Sequence, residues 1–153
     1  MMGEEKTAIV IDENDLDADD RLADEIEARN NGLLDIFAAD LQSLMLSDKQ
    51  IDDHRFNANT YVNLFLMTGE NAPYNIQQGV DRIDDYFGYF FIRKCMWSSL
   101  ENLPENVESV RLFYKSMMEH GKIEAEDYRK VERTVEDKLP EWCEYMRRWN
   151  EQY

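Results

Sequence analysis

Cysteine, histidine, proline and glycine are all scarce in this chain of 153 residues, which has 2 Cys, 2 His, 3 Pro and 6 Gly. Cys95 and Cys143 are too few to staple a secreted disulfide scaffold, so we expect reduced thiols and a cytoplasmic location. The scattered glycines form neither a dinucleotide fingerprint nor a P-loop. No apolar run reaches the ~18 residues of a membrane span, and the first residues lack the basic start and apolar stretch of a secretory signal. These absences predict no membrane partner and no nucleotide cofactor.

Basic residues are also in deficit, with 17 Lys and Arg against 33 Asp and Glu and a formal net charge of -16. The first 30 residues hold eleven acids and three bases, a net charge of -8, which is half the total. Blocks of like charge repel one another and often act as tails. The pattern predicts a mobile acidic arm over residues 1–30, with a helical second half over 16–29, followed by one helical domain over residues 31–153.

Apolar residues recur at helical spacing from Leu33 onward, and no convincing alternating strand follows. Ser47 has the side chain of an N-cap, and Pro104 suits a first helical position. Gly121 suits a helix end. The predicted helices cover residues 33–46, 48–68, 75–96, 105–120 and 125–138, and a last helix opens at Pro140. The fold class is therefore predicted to be all-α, a bundle of five to six helices.

Metal and catalytic motifs are incomplete. The motif Asp15-x-Asp17-x-Asp19 matches the start of an EF-hand loop, but Asp20 and Ile26 stand where that loop needs Gly and Glu. Neither His54 nor His120 follows a glutamate at the spacing that di-iron bundles use. We therefore predict no metal, no cofactor and no enzymatic activity.

Two aromatic groups stand out. Five aromatics fill six positions of the third predicted helix, where Phe87, Phe90 and Phe91 are predicted to be central and Tyr86 and Tyr89 accessible. The last helix carries an apolar stripe of Trp142, Tyr145, Met146 and Trp149, and two cations, Arg147 and Arg148, beside it. Tryptophan, tyrosine and arginine are enriched at interaction hot spots. This stripe either packs on the bundle or forms a partner or dimer surface.

Three motifs between Leu46 and Glu124 carry a family resemblance. They are Leu46-Ser47-Asp48-Lys49-Gln50-Ile51 with Leu64-Phe65-Leu66, then Ile83-Asp84-Asp85-Tyr86-Phe87, and finally Val110-Arg111-Leu112-Phe113-Tyr114 running to Gly121-Lys122-Ile123. The segment resembles the N-terminal core-binding (SAM-like helical) domain of phage-integrase-type tyrosine recombinases, with Gln50 in place of the usual Thr. The resemblance implies a helical DNA-clamping scaffold without the separate catalytic domain. The cations it would use are Arg93, Lys94, Arg111 and Lys115.

Three functions follow as hypotheses. The first is a non-enzymatic helical interaction module that binds a protein partner or a second copy. The second is a DNA-binding accessory protein on a recombinase-like scaffold, although DNA binding normally needs a basic face. The third is an acidic arm that mimics nucleic-acid charge and occupies a basic site on a partner.

Overall fold

The structure is a computed structural model that describes the backbone of residues 13–152 and the side chains of residues 18 and 20–152. Residues 13–152 contain no strand, and their helices form one bundle around a shared core. The predicted all-α fold class is therefore confirmed. The apolar residues 8–11, predicted to form a short strand or docking strip, lie outside the described residues.

The first helix, α1, spans Glu13–Ser43 and is longer than predicted. It begins well before Leu33 and crosses residue 30 without a break. Asn30 is 1% exposed and donates hydrogen bonds to Val62 O at 3.2 Å and Asn63 Oδ1 at 3.0 Å. This polar anchor starts the packed part of α1, because the helical spacing continues directly from it to buried Leu33 and Phe37.

The second helix, α2, spans Asp48–Asn59 and opens on a capping box. The Ser47 side chain accepts from Gln50 N at 3.1 Å, and the Gln50 side chain accepts from Ser47 N at 2.9 Å. The predicted helix over 48–68 then changes geometry: a π-helical turn covers Thr60–Leu64 and a 3-10 turn covers Phe65–Met67. The predicted N-cap is confirmed, and the single regular helix is not.

The third predicted helix, over 75–96, is wrong as one element. It divides into α3 (Ile76–Gly79), α4 (Ile83–Asp85), a π-helical turn (Tyr86–Phe90) and α5 (Phe91–Lys94). Tyr86 was predicted to be accessible but is 1% exposed, and its ring lies 5.0 Å from that of Tyr61 and 4.7 Å from that of Phe87. These ring contacts accompany the wider π-helical geometry, which apolar periodicity does not predict.

The two long C-terminal helices are α6 (Leu103–Glu119) and α7 (Ala125–Gln152). The predicted break at Pro140 is wrong, because α7 continues through it. Proline lacks the amide donor that an interior helical position uses. Buried residues on either side of Pro140, Val131 before it and Trp142 after it, hold both halves of α7 on the same core and override that cost.

Candidate interaction surface

The C-terminal half of α7 passes beside α5 and brings together residues from two separate predicted sets. The Arg93 guanidinium carbon lies 4.8 Å from the ring centroid of Tyr89 and 4.6 Å from that of Trp149. Both distances are within the range of cation–π attraction. Tyr145 and Arg148 lie on the same turn of α7 and line a groove with Arg93 and Trp149. We call Tyr89, Arg93, Tyr145, Arg148 and Trp149 the C-terminal surface.

Trp142 and Met146, both predicted as interaction candidates, are not available to a partner. Their exposed fractions are 0% and 1%, so they belong to the bundle's own core. Trp142 Nε1 donates to Asp84 Oδ1 at 2.7 Å, and the Trp142 ring lies 5.2 Å from that of Phe87. These two residues correct the prediction, because the apolar stripe of α7 is buried where it meets α4 and the π-helical turn.

Tyr145, Arg147 and Arg148 remain on the surface. Tyr145 is 40% exposed, and its hydroxyl lies 3.2 Å from Glu141 Oε1. Arg147 and Arg148 both form ion pairs with Glu144, and Arg148 keeps 65% of its side chain exposed. Exposed pairs of this kind contribute little stability, so Arg148 can exchange its partner for another anion at small cost.

Two grooves flank Trp149. One, of about 230 Å³, is lined by Gly88, Ile92, Arg93, Tyr145, Arg148, Trp149 and Gln152. The other, of about 460 Å³, is lined by Ile92, Arg93, Cys95, Met96, Ser98, Trp149 and Asn150. Neither set of lining residues contains a carboxylate, although the chain has a net charge of -16. The positive charge of the C-terminal surface therefore rests on Arg93, because Arg148 is paired with Glu144.

An apolar patch adjoins the second groove through Met96. Met96 is 97% exposed, and it is followed by Trp97 at 43% and Leu100 at 37%. The Trp97 ring lies 5.9 Å from that of Phe56, which is 54% exposed on α2. We call Phe56, Met96, Trp97 and Leu100 the apolar patch.

Sequence reasoning missed the apolar patch. Phe56 points away from the regular apolar stripe of α2, while Met96 and Trp97 stand in a connection after α5. An aromatic on the polar face of a helix was the available signal, but its partner lies far away in the sequence. Trp, Met and Phe are typical of the cores of protein interfaces.

The four predicted DNA-contact cations do not share one face. Arg93 contacts Trp149, whereas Arg111 Nη1 donates to Tyr128 Oη at 2.7 Å near the opposite end of α7. At about 1.5 Å of rise per residue, Tyr128 and Trp149 lie roughly 30 Å apart along the helix. Of the other three cations, only Lys94 lies beside Arg93: it is the next residue in the chain and is exposed at the end of α5.

Arg111 and Lys115 each lie close to acidic groups. Arg111 forms a bidentate pair with Glu108, and hydrogen bonding to that carboxylate raises the pKa of the Arg111 guanidinium. Lys115 lines a groove of about 220 Å³ together with Asp40 and Glu119. These surroundings reduce the positive potential that either cation could offer to phosphate.

Polar clusters elsewhere link helices. His54 Nδ1 lies 2.7 Å from Ser109 Oγ, but Ser109 is 0% exposed and its hydroxyl donates to Glu105 O at 2.9 Å. A buried hydroxyl whose proton is held by a backbone carbonyl is not placed to attack a substrate. Burial also raises the pKa of the Cys95 thiol, which lowers its thiolate fraction.

A second polar cluster joins α1 to the end of α6. Ser116 Oγ donates to Asp40 Oδ2 at 2.5 Å, and His120 Nε2 lies 3.0 Å from the same oxygen. Burial acts to raise the pKa of Asp40, but the hydrogen bonds from Ser116 and His120 outweigh it and leave that pKa below its usual value. Among the described side chains, no group of three or more His, Cys, Asp or Glu is arranged to hold a metal ion.

Comparisons with protein-family models, with curated proteins and with solved structures gave no match to this chain. The resemblance to recombinase core-binding domains therefore stays a prediction. Within the described part of the chain, no helix combines the length and apolar content that a membrane crossing requires.

Proposed function

We propose that this chain is a non-catalytic helical interaction module that binds a protein partner through the C-terminal surface and the adjoining apolar patch. The observation that carries the proposal is the exposed group of Trp97, Met96 and Phe56 beside Arg93, which is itself stacked on Trp149. Tryptophan, tyrosine and arginine dominate the binding energy of protein interfaces. The two free thiols, Cys95 and Cys143, are compatible with the cytoplasmic location that we also propose.

Site-specific photo-crosslinking tests this function. A photoreactive amino acid replaces Met96 in the full chain, and a matched probe replaces Met45, which is 90% exposed on the connection between α1 and α2. After irradiation in native lysate, we expect discrete protein adducts from position 96 that disappear with Trp97→Ala or Arg93→Glu. Adducts that form equally from position 45, or adducts that neither substitution changes, would contradict the proposal.

A second candidate function is nucleic-acid binding, and the stack of Arg93 between Tyr89 and Trp149 favours it. Single-strand binders combine cations with aromatic rings on which bases stack. The net charge of -16 weighs against it. A filter-binding titration of the full chain with a single-stranded oligonucleotide, at about 50 and about 200 mM salt, tests this candidate because phosphate contacts weaken steeply over that range. No retention at the lower salt eliminates it.

The acidic-arm hypothesis makes a separate prediction. If residues 1–30 mimic nucleic-acid charge, deleting residues 1–29 abolishes capture of a partner with a basic site, while the cross-links from position 96 persist. This deletion leaves the buried anchor Asn30 in place. Unchanged capture after the deletion would refute the hypothesis.

A further inference from the structure

The apolar stripe of α1 continues beyond the packed bundle. Leu33 and Phe37 are 5% and 0% exposed, but the same helical spacing extended toward the N-terminus reaches Ile26, which is partly exposed, and Leu22, which is 46% exposed. Among the described residues, no side chain from 20 to 29 makes a hydrogen bond, an ion pair or a ring contact. Among the described residues of this half of α1, Leu22 is therefore exposed and Ile26 is only partly covered.

This half of α1 is strongly acidic. Residues 13–29 contain eight acids and two bases, a net charge of -6. At about 100° per residue, Glu25 and Glu27 lie on either side of the stripe that runs through Leu22 and Ile26. The segment is thus an acidic amphipathic helix.

The C-terminal surface has the opposite character. Arg93 lines both of its grooves, and exposed Lys94 follows Arg93 in the chain. Arg148 lines one groove and is paired with Glu144. The apolar patch extends from the same site through Met96 and Trp97. An acidic helix with an apolar stripe complements this combination of cations and exposed apolar side chains.

The direction of the N-terminal half of α1 is fixed by the rest of that helix. Helix α1 is continuous from Glu13 to Ser43 and is anchored at Asn30 by its hydrogen bonds to Val62 and Asn63. A contact with another surface must therefore be made by this half as part of one unbroken helix. A second copy can approach the helix in that form.

We propose that the N-terminal half of α1 in one copy docks on the C-terminal surface and apolar patch of a second copy. The inference rests on the proposed function, whose surface it uses, and it names the partner as another copy of this chain. Because the two contacting surfaces differ, two arrangements are possible. The contact closes as a two-fold pair, with each α1 on the other copy's surface, or it continues head-to-tail into a ring or an open chain.

Sedimentation velocity on the full chain tests this proposal. From about 1 to about 100 μM we expect concentration-dependent association. Salt should weaken it, because the contact pairs exposed charges of opposite sign. Arg93→Glu alone, or Glu25→Lys with Glu27→Lys, should weaken self-association about tenfold or more, since each places like charges in contact. Arg129→Glu makes the same charge change on the first turns of α7, where its side chain is 58% exposed, and should have little effect.

Mixing the variants is the decisive measurement. The Arg93→Glu chain and the Glu25→Lys, Glu27→Lys chain are complementary again, so an equimolar mixture should associate when neither does alone. Circular dichroism of each variant should show the helical signal of the wild type, because the substituted side chains are exposed. A monomeric wild-type chain over the whole range, an equal loss with Arg129→Glu, or a mixture that stays monomeric overturns the proposal. If position 96 still cross-links to other proteins in that case, the proposed function survives. If the chain neither self-associates nor cross-links to other proteins from position 96, both the self-association and the proposed function are refuted.

Discussion

Replacing Trp142 by alanine should be among the most damaging single substitutions in this protein. Trp142 is 0% exposed, its ring lies 5.2 Å from that of Phe87, and its Nε1 donates to Asp84 at 2.7 Å. Truncating a buried tryptophan costs about 3–5 kcal/mol in free energy of unfolding. For a chain of this size, each kcal/mol shifts Tm by about 2–4 °C, so we expect a fall of about 6–20 °C.

Chemical denaturation followed by far-UV circular dichroism measures that cost, and Tyr145→Ala is the matched control on the same helix. Tyr145 is 40% exposed, so its truncation should cost less than about 1 kcal/mol. Trp142→Phe keeps an aromatic ring but loses the hydrogen bond to Asp84, and it should fall between the two. If Trp142→Ala is no more destabilising than Tyr145→Ala, the assignment of Trp142 to the core is refuted and a partner surface regains support.

Four further substitutions test the fold. Gly79→Ala would place a Cβ 2.5 Å from Tyr114 Oη and should cost about 1–3 kcal/mol, whereas Gly32→Ala, with nothing within 4 Å on α1, should add about 0.5–1 kcal/mol in urea unfolding. Pro140→Ala should raise the free energy of unfolding by about 1–3 kcal/mol, because it restores a helical amide within α7. A lower free energy of unfolding would instead indicate that α7 is interrupted at Pro140. Because the pKa of Asp40 is lowered in the folded chain, its ionised carboxylate stabilises the fold at pH values above the ordinary carboxyl pKa near 4. That contribution is lost as the pH falls through the lowered pKa. Thermal melts from about pH 6 to about pH 3 should therefore decline more steeply for wild type than for Asp40→Asn, and parallel curves would contradict this.

The helical nature of the chain was predictable because it depends on local periodicity. Leu33, Phe37 and Leu41 recur at helical spacing, and all three are buried. Ser47 was recognisable as an N-cap from its side chain alone, and it forms the capping box with Gln50. Such features involve residues within about one turn of each other, so no knowledge of tertiary contacts is needed to find them.

Helix boundaries and irregular turns were less predictable. Pro140 carries a strong local stop signal, yet burial of Trp142 beyond it keeps α7 intact. The aromatic run around Tyr86 predicts a regular central helix, but the contacts of Tyr86 with Tyr61 and Phe87 accompany a π-helical turn. In both cases a contact distant in sequence outweighs the local preference.

One part of the candidate site was likewise predictable from the sequence, and another part was not. Residue types on the last helix indicated a hot spot, and Tyr145 and Trp149 do lie on the C-terminal surface with Arg93. Periodicity could not distinguish them from Trp142 and Met146, which share the stripe and are buried. Burial depends on which neighbouring element covers each turn of α7, and that is a property of the assembled bundle.

By itself, the sequence determined that the chain is helical from Leu33 onward and where several helices begin. It also determined that acidic charge concentrates before residue 30, because composition and short-range periodicity carry that information. Only the tertiary structure decided which half of α1 is covered and which aromatic of α7 is exposed. It also decided that Phe56 meets Trp97 beside Arg93. These outcomes depend on contacts between segments far apart in the chain, whose pairing is set by the packing of the whole core.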